Sequence, residues 1–174
     1  MATITREQLR WLRNLSGGPA PVQVFPEATS QSVNTGSTLG EPCDLSSGRV
    51  RRAGGISSGG VSLASGSTIL GIMADHFTNR SATSNVASAR LGVVAASSET
   101  KFRGHVSSGA SNQSLTAGMV GSTYGLFKLT SSLWTVDTAA ASTYVRVTGL
   151  IDAVGDINGA VEFVLENDKI VYGD

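Results

Sequence analysis

The chain has 174 residues, with 13 basic and 13 acidic side chains and 40% hydrophobic residues. That length suits one domain, or at most two small lobes, and is enough to bury a core. Balanced charge excludes a strong whole-molecule field, so nucleic acid is not expected as the main partner.

Glycine accounts for 21 residues, and serine, threonine, alanine and valine are abundant. Such residues make poor helices but good short strands and tight turns. Cys43 is the single cysteine, which excludes an intrachain disulfide, and it reads as a small buried residue. No apolar run approaches the ~20 residues that span a bilayer. The first residues carry arginines instead of the apolar centre of a signal peptide. A soluble protein made in a reducing cytoplasm, without membrane partners, is expected.

Residues 6–16 read as a short amphipathic helix. Thr5 and Gln8 have capping-box spacing, and Ile4 and Leu9 that of a hydrophobic staple. Leu9, Leu12 and Leu15 form an apolar stripe widened by Trp11, opposite Arg6, Arg10 and Arg13. Gly17, Gly18 and Pro19 supply the stop. A helix this short is marginal alone, so it must lie on its own domain or on another chain. Residues 17–47 contain all four prolines of the chain and read as an extended arm. The expected organisation is therefore helix and arm over 1–47 and a β domain over 48–174, and deletion of residues 1–40 is expected to leave that domain folded.

From residue 48 the pattern becomes repeated short strands: 67–74, 86–95, 102–106, 114–120, 143–151, 160–165 and 170–172. Residues 124–129 and 133–136 flank Thr130-Ser131-Ser132 as a hairpin. Strands at this spacing with Gly/Ser turns predict a mainly β fold, an antiparallel barrel or sandwich. No amphipathic helix lies between them, which disfavours a βαβ sheet.

Candidate chemistry is sparse. Gly54-Gly55 and Gly59-Gly60 bracket a serine-rich stretch, but no Gly-Lys-Ser/Thr and no helix follows, so a turn is expected over a phosphate loop. The histidines are His76, next to Asp75, and His105; with one cysteine they match no metal spacing. Asp75 and His76 read as a polar pair at a strand end in preference to a catalytic pair. Asp152, Asp156 and Asn158 lie around Gly155 and Gly159, where a turn is expected over a calcium loop. Trp134 reads as core or interface, with a sugar platform shared with Tyr144 as the alternative. Charge is segregated: from Leu150 onward the acids Asp152, Asp156, Glu162, Glu166, Asp168 and Asp174 face a single base, Lys169. Head-to-tail contact between copies and a solvated surface both account for it.

An ordered series then stands out. It runs Val120-Gly121-Ser122-Thr123-Tyr124-Gly125-Leu126, Leu133-Trp134-Thr135-Val136-Asp137, Val145-Arg146-Val147-Thr148-Gly149-Leu150, and Gly155-Asp156-Ile157-Asn158-Gly159-Ala160-Val161-Glu162-Phe163-Val164. Over residues 65–165, with the earlier Ile69-Leu70-Gly71-Ile72 and Thr100-Lys101-Phe102, it resembles the head-decoration, or capsid cement, proteins of tailed bacteriophages. The resemblance implies a β-barrel or β-tulip-like domain, often trimeric, that binds the outer surface of a capsid at threefold positions and stabilises it. It implies the major capsid protein and further copies of the chain as partners and a place on the virion exterior. From the sparse chemistry of the residues, neither cofactor, small-molecule substrate nor enzymatic activity is expected. The N-terminal segment lies outside it. From the residues alone, Arg6, Arg10, Trp11, Arg13, Arg51 and Arg52 are the expected contacts with a partner. A head-fibre or tail adaptor binding host glycans is the alternative function.

Overall fold

The computed structural model describes residues 1–26, 39–56, 58–74, 90–130 and 133–171. Its strands are β1 (Arg10–Asn14), β2 (Val22–Pro26), β3 (Pro42–Ser46), β4 (Arg49–Arg52), β5 (Val61–Ser62), β6 (Gly71–Met73), β7 (Arg90–Ala95), β8 (Thr100–Ser107), β9 (Thr123–Lys128), β10 (Trp134–Asp137), β11 (Val145–Leu150) and β12 (Ala160–Leu165). Helix among the described residues is limited to 3-10 turns at Ala53–Gly55, Ala117–Met119 and Asn167–Lys169. The chain is mainly β, as its composition predicts.

Five strands close a barrel in the order β8-β10-β9-β11-β12 and back to β8. Alternation along each strand sets which residues face in. Phe102 and Val106 of β8, Val145 and Val147 of β11, and Val161 and Phe163 of β12 are buried in one core cluster. The Phe102 and Phe163 rings stack with centroids 5.8 Å apart. All these pairings are antiparallel except β8 with β10. Parallel neighbours need a crossover, and here it runs through the 3-10 turn Ala117–Met119 and β9, with no α-helix among its described residues. The hairpin expected over residues 124–136 is present as β9 and β10, and the clearest expected strands, 143–151 and 160–165, form the β11–β12 hairpin.

The other sheet is antiparallel, in the order β2-β7-β6-β3-β4. Ile72 and Val94 join the barrel core, while Cys43, Val50, Leu70, Met73 and Val93 form a second, smaller cluster. Cys43 is fully buried, as expected, and burial raises its thiol pKa far above the ordinary range.

A buried ion triad joins the two sheets. Glu41, just before β3, accepts from Lys128 Nζ of β9 at 2.5 Å and from Arg52 Nε of β4 at 3.1 Å. The Lys128 ammonium also donates to the Ile56 carbonyl at 3.1 Å and lies 5.6 Å from the Trp134 ring centroid. Ions out of water are tolerated only when their partners are in place, so this triad fixes the sheet against the barrel.

The N-terminal segment corrects the sequence expectation. Residues 6–16 are not helical: β1 pairs antiparallel with β8, Arg10 opposite Arg103 and Asn14 opposite Thr100. The expected stripe is split, with Leu9 fully buried and Leu15 61% exposed. The reason is tertiary. β10 pairs only with Val106 and Ser107 of β8, and the flank of β8 opposite β12 would otherwise leave its remaining backbone groups unpaired. β1 fills that flank. Leu9 enters the core above Gly104, where a Cβ would stand 2.5 Å from the leucine Cδ2. A short helix is too weak to compete with these gains. Residues 17–47, expected as an arm, likewise supply β2 and β3 to the second sheet. The strand expected over 114–120 is instead a loop with a single bridge, Ser114 to Ile157, and the 3-10 turn Ala117–Met119. For residues 170–172 the described part is also a single bridge, Ile69 to Ile170.

Two outcomes follow for stability measured by chemical denaturation. Leu9→Ala lowers it by about 2–5 kcal/mol, whereas Leu15→Ala changes it by less than about 0.5 kcal/mol; a helix stripe would make the two effects alike. Lys128→Met removes one member of the triad and costs about 3–5 kcal/mol, because Glu41 remains buried with part of its compensation gone.

Candidate functional site

The outward faces of four neighbouring strands gather a cluster of charged and polar side chains outside the triad. β1 presents Arg10 and Arg13, β8 presents Lys101, Arg103 and His105, β12 presents Glu162, and β11 presents Arg146 and Thr148. The β8, β11 and β12 sets follow from the period-two alternation that turns Phe102, Val147 and Phe163 inward, while on β1 a register irregularity between Trp11 and Arg13 brings Arg13 to the same face as Arg10.

Glu162 is the centre of this face. Its Oε2 accepts from Arg13 Nε at 3.0 Å, and its Oε1 accepts from Thr148 Oγ1 at 2.8 Å and from Lys101 Nζ. Burial alone would raise the carboxyl pKa, but the bonds from Lys101, Thr148 and Arg13 outweigh it and hold the group below the usual carboxylate range. Around it, Arg10 pairs with Glu7 at 2.6 Å, and Arg146 makes a two-pronged contact with Glu166 at 2.8 and 3.1 Å. Arg10 and Arg146 keep about half of their side chains exposed. The face therefore sets Arg10, Arg13, Lys101, Arg103 and Arg146 against Glu7, Glu162 and Glu166, an excess of cations over acids on a barrel wall.

The start of the chain is clamped beside it. Ala2 N donates to Asp156 Oδ1 at 2.8 Å, and Ile4 N to the Ile157 carbonyl at 2.8 Å. Arg6 Nη2 donates to Asn158 Oδ1 at 2.7 Å and to the Ser111 carbonyl at 2.8 Å. Asn158 adopts a positive φ of 58° that its short polar side chain tolerates. Of the early basic residues, Arg13 pairs with a late acid, Glu162, whereas Arg10, Arg51 and Arg52 pair with the early acids Glu7, Asp44 and Glu41.

The expected contact residues divide accordingly. Arg10 and Arg13 lie on the outer face, and Arg6 lies beside it, engaged with Asn158. Trp11 is half-buried against the barrel core. Arg51 sits on the other sheet, 2.7 Å from Asp44, and Arg52 is buried in the triad, so neither joins this face. Lys101, Arg103, Arg146 and Glu162 are not among the contact residues expected from the sequence. Their signal was parity: each shares strand alternation with other polar residues, opposite the apolar set.

Other candidates resolve as structure. Trp134 is 1% exposed and Tyr144 fully buried, its hydroxyl donating to the Ala64 carbonyl, so this pair offers no platform to a sugar. Asp152 Oδ2 accepts from Ala160 N at 2.7 Å, and with Asp156 bonded to Ala2 the expected turn acids serve backbone amides. Among the described residues no cluster of His, Cys, Asp and Glu suits a metal. Gly59 packs where a Cβ would stand 2.7 Å from the Thr130 backbone, while Gly60 turns at a positive φ of 80° in open space. Asp75 and His76 lie outside the described residues.

No protein-family model, curated protein or solved structure matches the chain.

The pH dependence of the Glu162 contribution has a definite sign. Its folded-state pKa is depressed, so its stabilisation is complete above the unfolded value of about 4.3 and is lost as pH falls through the lower folded value. Thermal melting should show a constant gap between the wild type and Glu162→Gln from neutral pH down to about pH 5, closing at lower pH.

Proposed function

We propose that this chain is a capsid cement protein of a tailed bacteriophage, binding the outer surface of the shell through the cationic face of its barrel. The observation that carries the reading is that face itself. It holds Arg10 and Arg146 half-exposed on a closed barrel whose strands and buried ion triad resist deformation. A rigid body suits a protein that must bridge neighbouring capsid subunits without yielding. The ordered strand series over residues 65–165 supports the same reading.

The mechanism is electrostatic docking of many copies on a repeating lattice. Exposed ion pairs contribute little each, about 0–1 kcal/mol, but a trimer that engages several equivalent sites at once gains from effective concentration. Arg10 and Arg13 of the expected contact set take this role, with Arg103 and Arg146 added; the major capsid protein would supply carboxylates. Residues 1–26 belong to the docking body, not to a tether that reaches away from it. Placement on the virion exterior and assembly into homotrimers are parts of the proposal.

Co-sedimentation of the purified full chain with empty shells of the cognate capsid tests it. The wild type should co-sediment at low salt and less at high salt, and its mass in solution should be that of a trimer. The double variant Arg10→Gln/Arg146→Gln, altered only at exposed positions and without new like-charge contacts, should keep its melting temperature and lose co-sedimentation by tenfold or more, or about 1.4 kcal/mol. A wild type that fails to bind shells at any salt concentration would overturn the reading.

A further inference from the structure

Three buried side-chain nitrogens next to the cationic face have no hydrogen-bond partner among the described residues: Arg6 Nε, Arg103 Nε and His105 Nε2. They lie in one neighbourhood. Arg103 and His105 are two residues apart on the outward side of β8. Arg6 reaches the same place through Asn158, whose side-chain oxygen it binds at 2.7 Å and whose carbonyl lies 2.8 Å from His105 Nδ1. Buried polar atoms left unpaired are rare, and each calls for a ligand, a water or an ion.

The chemistry of His105 selects among these. A carbonyl can only accept, so Nδ1 must carry the proton that bonds Asn158. In the neutral ring Nε2 is then an acceptor, and in the imidazolium it becomes a donor. The ring is 1% exposed. The charged groups around it are Arg103 on its own strand, Arg6 and Glu7 from the N-terminal segment, and Asp152 from the turn between β11 and β12. Burial chiefly, with Arg103 adding to it, lowers the imidazole pKa, against weaker opposing effects of the Asn158 bond, Glu7 and Asp152. Unpaired donors on two guanidinium groups favour a negative ligand, and a negative ligand in turn favours the imidazolium.

We propose that Arg6, Arg103 and His105 form a proton-linked site for a small oxyanion. On binding, one proton is taken from solvent by His105 Nε2. The resulting N–H donates to one oxygen of the anion, while Arg6 Nε and Arg103 Nε donate to others. No covalent bond changes. Because Arg6 ties the N-terminal segment to Asn158, occupancy of the site tightens the clamp on residues 2–6, and it does so more strongly as pH falls.

Calorimetric titration of the full chain with sodium sulfate, an anion that does not itself titrate in this range, tests the site. It is run at about pH 5.5 and about pH 8, on either side of an ordinary histidine pKa, in two buffers of different ionisation heat over a constant chloride background. Sulfate should bind at the lower pH with net uptake of one proton, and weaken toward about tenfold per pH unit once the free imidazole is neutral. Arg103→Gln should weaken binding at least tenfold, and His105→Gln should abolish proton uptake. Arg103 is partly exposed, so its variant keeps the test decisive if His105→Gln fails to fold. Sulfate binding absent at both pH values, binding without proton uptake, or binding unchanged in Arg103→Gln would each overturn the proposal and leave the three nitrogens to internal water.

Discussion

Strand β8 is the constraint on which the molecule depends. It runs from Thr100 to Ser107, and each flank of an eight-residue strand presents backbone groups that need partners once buried. One flank is served by β12. The other is shared: β10 takes the last two residues and β1 the first four. The barrel closes through β10 and β12, and β1, from the start of the chain, covers the part of that flank the short β10 leaves free. Gly104 sits at the crossing, and its missing side chain gives Leu9 its place in the core.

That closure also arranges the charge. Bringing β1 beside β8 puts Arg10 and Arg13 next to Arg103 and Lys101, and the β12 neighbour brings Glu162 among them. Like charges placed side by side are costly unless an opposite charge intervenes. The buried position of Glu162 on this face, with three donors on one carboxylate, is the compensation. Arg10 and Arg146 are held by acids at the margin and keep their solvent-facing surface. The result is a wall with a cationic excess whose geometry is set by strand register and not by loops.

The buried triad plays a different part. Glu41, Arg52 and Lys128 come from β strands or their ends in two separate sheets. Replacing such groups with hydrophobic residues often costs nothing in stability, so their value is better sought in specificity: only one arrangement of sheet on barrel pairs all three. Arg52, expected at a surface contact, therefore serves the interior. Trp134, expected as core or interface, lies beneath the Lys128 ammonium and contributes to the same junction.

The sequence by itself determined the fold class and most of the barrel. Val145 and Val147, or Val161, Phe163 and Leu165, alternate so regularly that the strands and the hairpins of the C-terminal half follow from period two alone. Burial of Cys43 and the structural role of the glycine-rich stretch were legible for the same reason, since both rest on local chemistry. Residues 6–16 were misleading because capping and stripe signals describe what an isolated segment prefers, by a few tenths to one kcal/mol each. The unfilled flank of β8 and the space above Gly104 offer more, and neither is visible in a linear pattern. The cationic face, the Glu162 cluster and the bonds of Arg6 to Ser111 and Asn158 join residues about 100 to 150 positions apart. The register of β1 on β8 and of β12 on β8 decided them, because a shift of one residue in either would turn the side chains of the shifted strand to the other face.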